Sequence, residues 1–191
     1  MTTQTTTNPA VAVIREAAQL GHWYLDGTMA DVTSEQAHYP PPGRANPIGA
    51  TFAHLACSED LIVNGMLRQQ APLMASSHAE TTGLSEPMPM PGSPDWGEAY
   101  AAWARRVQVD LAALKAYAES VYAATDTYLA SLSDADLERE LDLTGVGFGT
   151  RKLGWMLNLL ILNHLILNHI GTETGEISAL KGIQGAKGYP F

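Results

Sequence analysis

Apolar residues recur along this chain at spacings of three and four rather than in alternation, so the pattern predicts helices. In "NPAVAVIREAAQLGHWYLDGTM", Val13, Ala17, Leu20 and Tyr24 form an amphipathic stripe. Asn8 is placed to cap this helix, and Pro9 takes its first position, where a missing N–H is not needed. Gly27 reads as its end. "VTSEQAHYPPPG" offers a capping box from Thr33 to Gln36, and hence a short helical turn that Pro40 to Pro42 terminate. A second long helix fits "NPIGATFAHLACSEDLIVNGMLRQQ", with Ile48, Phe52, Leu55, Ile62 and Met66 broadly along one side and His54 beside them. Residues 71–95, rich in Pro, Ser, Gly and Met, read as a long irregular connection rather than a domain boundary. A third, alanine-rich helix starts near Trp96 and is predicted to reach about Leu132. "SLSDADLERE" adds a second short capped helix, and "LTGVGFGT" reads as a glycine loop. A fourth helix is expected from about Arg151 to about Leu180. Four long helices, no solenoid repeat and almost no strand pattern predict an all-α chain. The economical architecture is a four-helix bundle with a long connection between its second and third helices. The expected organisation is a disordered polar tail over residues 1–9 and one domain over residues 10–191.

Composition narrows the class. A chain of 191 residues, 46% hydrophobic, is long enough to bury a sizeable core as one globular domain. The formal net charge of −9 argues against a nucleic-acid partner, which needs clustered cations. The short basic pairs Arg105–Arg106 and Arg151–Lys152 fit solvated helix faces or helix starts instead. Cys57 is the single cysteine, so no intramolecular disulfide is available and a reducing compartment is favoured. "MTTQTTTNPA" has neither the basic nor the apolar region of a signal peptide. The run from Leu153 to Ile170 is apolar enough to raise a membrane question. Asn158, Asn163, His164, Asn168 and His169 interrupt it, and a spanning helix would have to carry all five polar groups. The expected location is therefore the cytoplasm, with no membrane partner.

The chemistry concentrates in "LNHLILNHIGTETGEISALKG". The glycines of "GVGFGTRK" do not match a phosphate-binding loop, and no predicted strand precedes them. On an α-helix His169 and Glu173 lie within about 40° of each other, a spacing that presents two ligands to one ion. Asn158, Leu162, Leu165 and Glu176 share roughly that face. His164 points about 140° away from His169, on a second apolar face with Leu157, Leu160, Leu167 and Gly171. A helix apolar on two sides suggests burial in the bundle on one and a subunit contact on the other. Two ligands leave a metal undersatisfied, and His54, mid-way along the second helix, is the best third donor. Imidazole nitrogens and a carboxylate suit a divalent ion with open positions for water or substrate. Plainer readings stand beside this one. A histidine on an apolar helix face is commonly a hydrogen-bonded core residue, and Glu173 could be a solvated carboxylate. Cys57 reads as a small buried hydrophobe, and His22, His38 and His78 as surface or structural groups.

"ANPIGATFAHLACSEDLIV" and "NHIGTETGEISALKGIQGAKGYPF", in that order, resemble the DinB-like (YfiT-type) superfamily of metal-dependent proteins. "LDGTMADVTSEQ" and the tryptophan-led third helix fit between them, so the likeness spans about residues 10–191. The resemblance implies a four-helix bundle, often a homodimer, with a divalent zinc, nickel, iron or manganese ion held by three side chains. The family's ligands are a histidine in the second helix and a His-x-x-x-His pair ahead of Gly-Gln-Ile or Gly-Glu-Ile. His54 matches the first. Counting back from Gly175-Glu176-Ile177 places His169 at the start of the pair and Glu173 where a histidine is usual. A thiol-dependent branch also uses two histidines and a glutamate, with the glutamate first on the helix. Relatives include transferases and an isomerase dependent on low-molecular-weight thiols. The resemblance thus implies a thiol S-transferase or hydrolase acting on a small-molecule substrate, with a thiol as co-substrate. The alternative is a non-catalytic dimeric metal- or ligand-binding protein of the same fold.

Overall fold

A computed structural model describes residues 8–92 and 94–190, with the side chains of all of these except 162–167. The described chain is mainly helical. Helix α1 (Pro9–Met29) begins as its sequence dictates, with the Asn8 side chain accepting the Ala10 N–H and proline in the first turn. It runs past Gly27 to Met29. Its buried face is Val11, Ile14, Ala18, His22, Leu25 and Met29. The stripe picked out by spacing faces outward: Val13 is 62% and Leu20 54% exposed. α1 thus carries two apolar repeats, and spacing alone does not say which one enters the core.

α2 (Ser34–His38) carries the Thr33–Gln36 capping box. α3 (Ile48–Asp60) continues into π-helical turns over Leu61–Leu67, with Ile48, Phe52, Leu55 and Ile62 all buried. The following connection is irregular, apart from short features such as a 3₁₀ turn at Leu73–Ala75. Asp60 fastens it. This fully buried carboxylate accepts the N–H groups of Leu73 and Met74 (both 2.9 Å), Asn64 Nδ2 (2.7 Å) and the Tyr117 hydroxyl (2.8 Å).

The single third helix expected over Trp96–Leu132 is two helices, α4 (Trp96–Ala104) and α5 (Leu111–Ser131). The break has local causes. Val107 and Val109 turn into the core, and Asp110 accepts the N–H groups of Ala112 and Ala113 to start a new helix. The Val109 N–H donates to His38 Nε2 (2.9 Å), tying the break to α2. Gly83, at φ +78°, packs so closely here that a Cβ would lie 2.6 Å from the Asp110 carbonyl oxygen.

α6 (Asp134–Leu137) has the Ser133–Asp136 capping box. Beyond it the chain departs from the all-α expectation. β1 (Glu140–Leu143) pairs antiparallel with β2 (Gly149–Lys152), from Glu140 opposite Lys152 to Leu143 opposite Gly149. The predicted glycine loop supplies the hairpin's turn and the first half of β2. Leu141 and Leu143 point inward, but one buried–exposed alternation over four residues is too short to stand out in the sequence. Arg151 and Lys152 are exposed at the end of β2, and Lys152 is the N-cap of the helix that follows at Leu153, so the pair does stand at a helix start.

The last helical stretch comprises α7 (Leu153–Met156), π-helical turns over Leu157–Ile170 and α8 (Gly171–Ile183). It packs on α1, and residues 188–190 return over both, with Pro190 against Gly27 and the Tyr189 hydroxyl beside Gly175; Phe191 lies outside the described residues. Among the described residues, no helix is long and apolar enough to cross a membrane.

Two apolar clusters make the core, one around Phe52, Trp103, Tyr117 and Ile177, the other around Leu129, Leu141, Leu153 and Met156. A polar layer separates them. Buried Glu59 on α3 receives His22 Nε2 from α1 (2.8 Å) and the Thr125 hydroxyl from α5 (2.6 Å), and the His22 ring stacks on Tyr122 at 3.7 Å. Because each helix contributes one partner at the same level, the layer holds α1, α3 and α5 in one register.

Candidate metal centre

His54 lies on α3, His169 in the last π turn and Glu173 in the first turn of α8. These elements bring all three side chains to one point. His54 Nε2 is 2.9 Å from His169 Nε2, and Glu173 Oε1 is 3.0 Å from His169 Nε2 and 3.7 Å from His54 Nε2. The ligand atoms lie within 4.8 Å of one another, and the side chains are only 12–20% exposed.

The donor set fits a divalent ion. Metal–ligand bonds of about 2.0–2.2 Å, at angles between square and tetrahedral, put donor atoms roughly 2.8–3.6 Å apart. Two of the three separations fall in that range, and the third exceeds it by about 0.1 Å. Protons do less well. One ring proton on His169 cannot point along both short contacts, whereas a cation between the three atoms meets every lone pair at once.

Tyr100 of α4 closes one side, with its ring 4.9 Å from His54 and packed between Trp96 (5.4 Å) and Trp103 (5.6 Å). Burial raises its phenol well above the usual range, and the charges of Glu173 and Glu176 add to the rise. It therefore stays a protonated donor beside the carboxylates. Glu176, one turn past Glu173, is also raised, by burial first and then by Glu173. Tyr100 was missed from the sequence. Its signal was present in Trp96, Tyr100 and Trp103, an aromatic row at helical spacing.

Cys57, one turn after His54, is buried, and burial pushes its thiol up to about 12. That agrees with a small buried hydrophobe and not with a nucleophile. At pH 8 its thiolate fraction is roughly a thousandth that of an ordinary cysteine. Iodoacetamide should accordingly label the folded protein about a thousandfold more slowly than the guanidinium-unfolded chain, as read by intact mass.

Among the described side chains, the other histidines do not join the centre. His22 belongs to the polar layer. His38 is held between the Ser34 carbonyl and the Val109 N–H, and His78 lies against Ser77 and Tyr117. The His164 side chain lies outside the described residues, as do those of Leu162, Leu165 and Leu167, so the second apolar face expected of this helix is described only at Leu157 and Leu160, both buried, and exposed Gly171.

A family profile described as the DinB superfamily matches residues 23–169, a stretch that includes His54 and ends on His169. A conserved protein from Enterococcus faecalis, known from its crystal structure, shares the fold with a TM-score of 0.68 at 20% identity. The match covers 90% of this chain and 96% of that one. At that identity the likeness concerns the fold alone. None of the curated proteins matches the chain.

Proposed function

Since the chain belongs to the DinB superfamily, we propose that His54, His169 and Glu173 hold a divalent metal ion in a thiol S-transferase or hydrolase acting on a small molecule. The observation that carries this reading is the convergence of three lone-pair donors from α3, the π turns and α8 on one point. Bound there, a zinc, nickel, iron or manganese ion would supply Lewis acidity, lowering the pKa of a thiol or water. The protein's own groups do the rest. Neutral His54 and His169 offer nitrogen lone pairs, and the Glu173 charge balances part of the cation's. The Tyr100 phenol supplies a proton donor at the edge of the site. In the transfer, the thiol gives up its proton and its sulfur bonds to the electrophilic carbon. The thiol's proton passes to solvent, the leaving group departs with the bonding pair, and in the hydrolase water takes the thiol's place.

The test is thiol consumption with 1-chloro-2,4-dinitrobenzene, across a panel of low-molecular-weight thiols, by metal-loaded and chelated protein. The reading expects turnover at least about 100-fold faster when loaded, within the range metal activation supplies. A loaded protein with no thiol- or water-dependent turnover would instead be a metal-binding protein of the same fold.

We also read the four long helical stretches as a four-helix bundle and the assembly as a homodimer, in the cytoplasm. The outward apolar stripe of α1 supports the dimer, since Val13 and Leu20 are more than half exposed. Light scattering should give twice the 20.5 kDa chain mass, and Leu20→Glu should shift the protein to monomer. A wild-type monomer at micromolar concentration would contradict the dimer.

A further inference from the structure

The 71–95 connection roofs a cavity of about 390 Å³ against α3. Cys57 forms part of its floor, and Met74, Leu84, Pro87, Met88 and Met90 are among its walls. Long irregular segments in compact domains are commonly binding elements, and this one is fastened in place. Asp60 holds Leu73 and Met74, Trp103 Nε1 donates to the Glu86 carbonyl (3.3 Å), and Trp96 Nε1 donates to the Pro89 carbonyl (3.1 Å). The volume is that of a small-molecule pocket. Its thioether and aliphatic lining offers adaptable dispersion contacts rather than charge. The carboxylate on the lining, Glu86, is already engaged by Arg106 at 2.8 Å. His54 and Cys57 are one turn apart on the same face of α3. Tyr100 packs its ring against His54, 4.9 Å away.

We propose that this cavity binds the apolar, uncharged body of the small molecule whose reacting group is handled at the His54–His169–Glu173 centre. The substrate class is then a neutral, largely apolar organic compound. This assignment rests on the metal-centre reading above, and its test separates the two. The probe is N-phenyl-1-naphthylamine, neutral and fluorescent in apolar surroundings. One equivalent should bind the full chain, and Ala79→Trp and Met90→Trp, both at exposed positions on the cavity lining, should each weaken it by about tenfold or more. Leu20→Glu, on the α1 stripe, should leave it unchanged. Circular dichroism of each variant confirms the fold. With one equivalent of manganese(II) bound, the probe's proton resonances should broaden. Probe binding lost in Leu20→Glu but kept in both tryptophan variants overturns the proposal, and so does a bound probe left sharp by bound manganese. Failure of manganese to bind at all overturns the metal-centre reading, and this assignment with it.

Discussion

Replacing His169 with alanine is expected to weaken divalent-metal affinity by more than about 100-fold, beyond the 10–100-fold that loss of an outer partner costs. His169 Nε2 makes both short contacts in the cluster, 2.9 Å to His54 and 3.0 Å to Glu173. Its removal leaves two donors 3.7 Å apart and no third among the described residues. His54→Ala should act similarly. Glu173→Gln keeps the shape of the side chain but removes its charge, so it should fall between these variants and wild type. Competition titration against a chromophoric chelator measures all three, and unchanged affinity in His169→Ala would take that residue out of the site.

Asp60→Ala should cost about 3–5 kcal/mol of stability, the range for removing one partner from a buried charged network. Four donors lose their acceptor together: two backbone N–H groups, an amide and a phenol, the last from α5. The anchor of the 71–95 connection goes with them. For a chain of this length that is a fall in melting temperature of roughly 6–20 °C. The metal donors come from other turns, so metal affinity should survive below the new melting temperature. A thermal scan of both proteins decides it, and a shift under about 2 °C would show that the buried donors find other acceptors.

How much of this was legible in the sequence depended on whether the signal was local. The helix starts at Asn8–Pro9, Thr33 and Ser133 were readable because a cap is one side chain reaching two or three residues along its own chain. His169 and Glu173 were readable as a pair for the same reason. That His54 would meet them across more than a hundred residues rested on its position in the second helix and on family resemblance. The break between α4 and α5 was hidden because high alanine propensity runs through both helices. The deciding contacts, from His38 and around Gly83, come from distant segments. On α1, two apolar repeats compete, and only the packing of α3 and α5 selects the face carrying His22. The Glu59 layer left no periodic trace, since a buried carboxylate and a solvated one look alike until their partners are placed.

The central claim is that His54, His169 and Glu173 together hold a divalent metal. Elemental mass spectrometry of untagged wild-type protein and of Glu173→Ala, each reconstituted and desalted, tests it most directly. The account predicts close to one divalent ion per chain in wild type and little in the variant. Equal metal in both would remove Glu173 from the ligand set. No metal in either would contradict the claim, leaving the three side chains as a hydrogen-bonded cluster between α3 and α8.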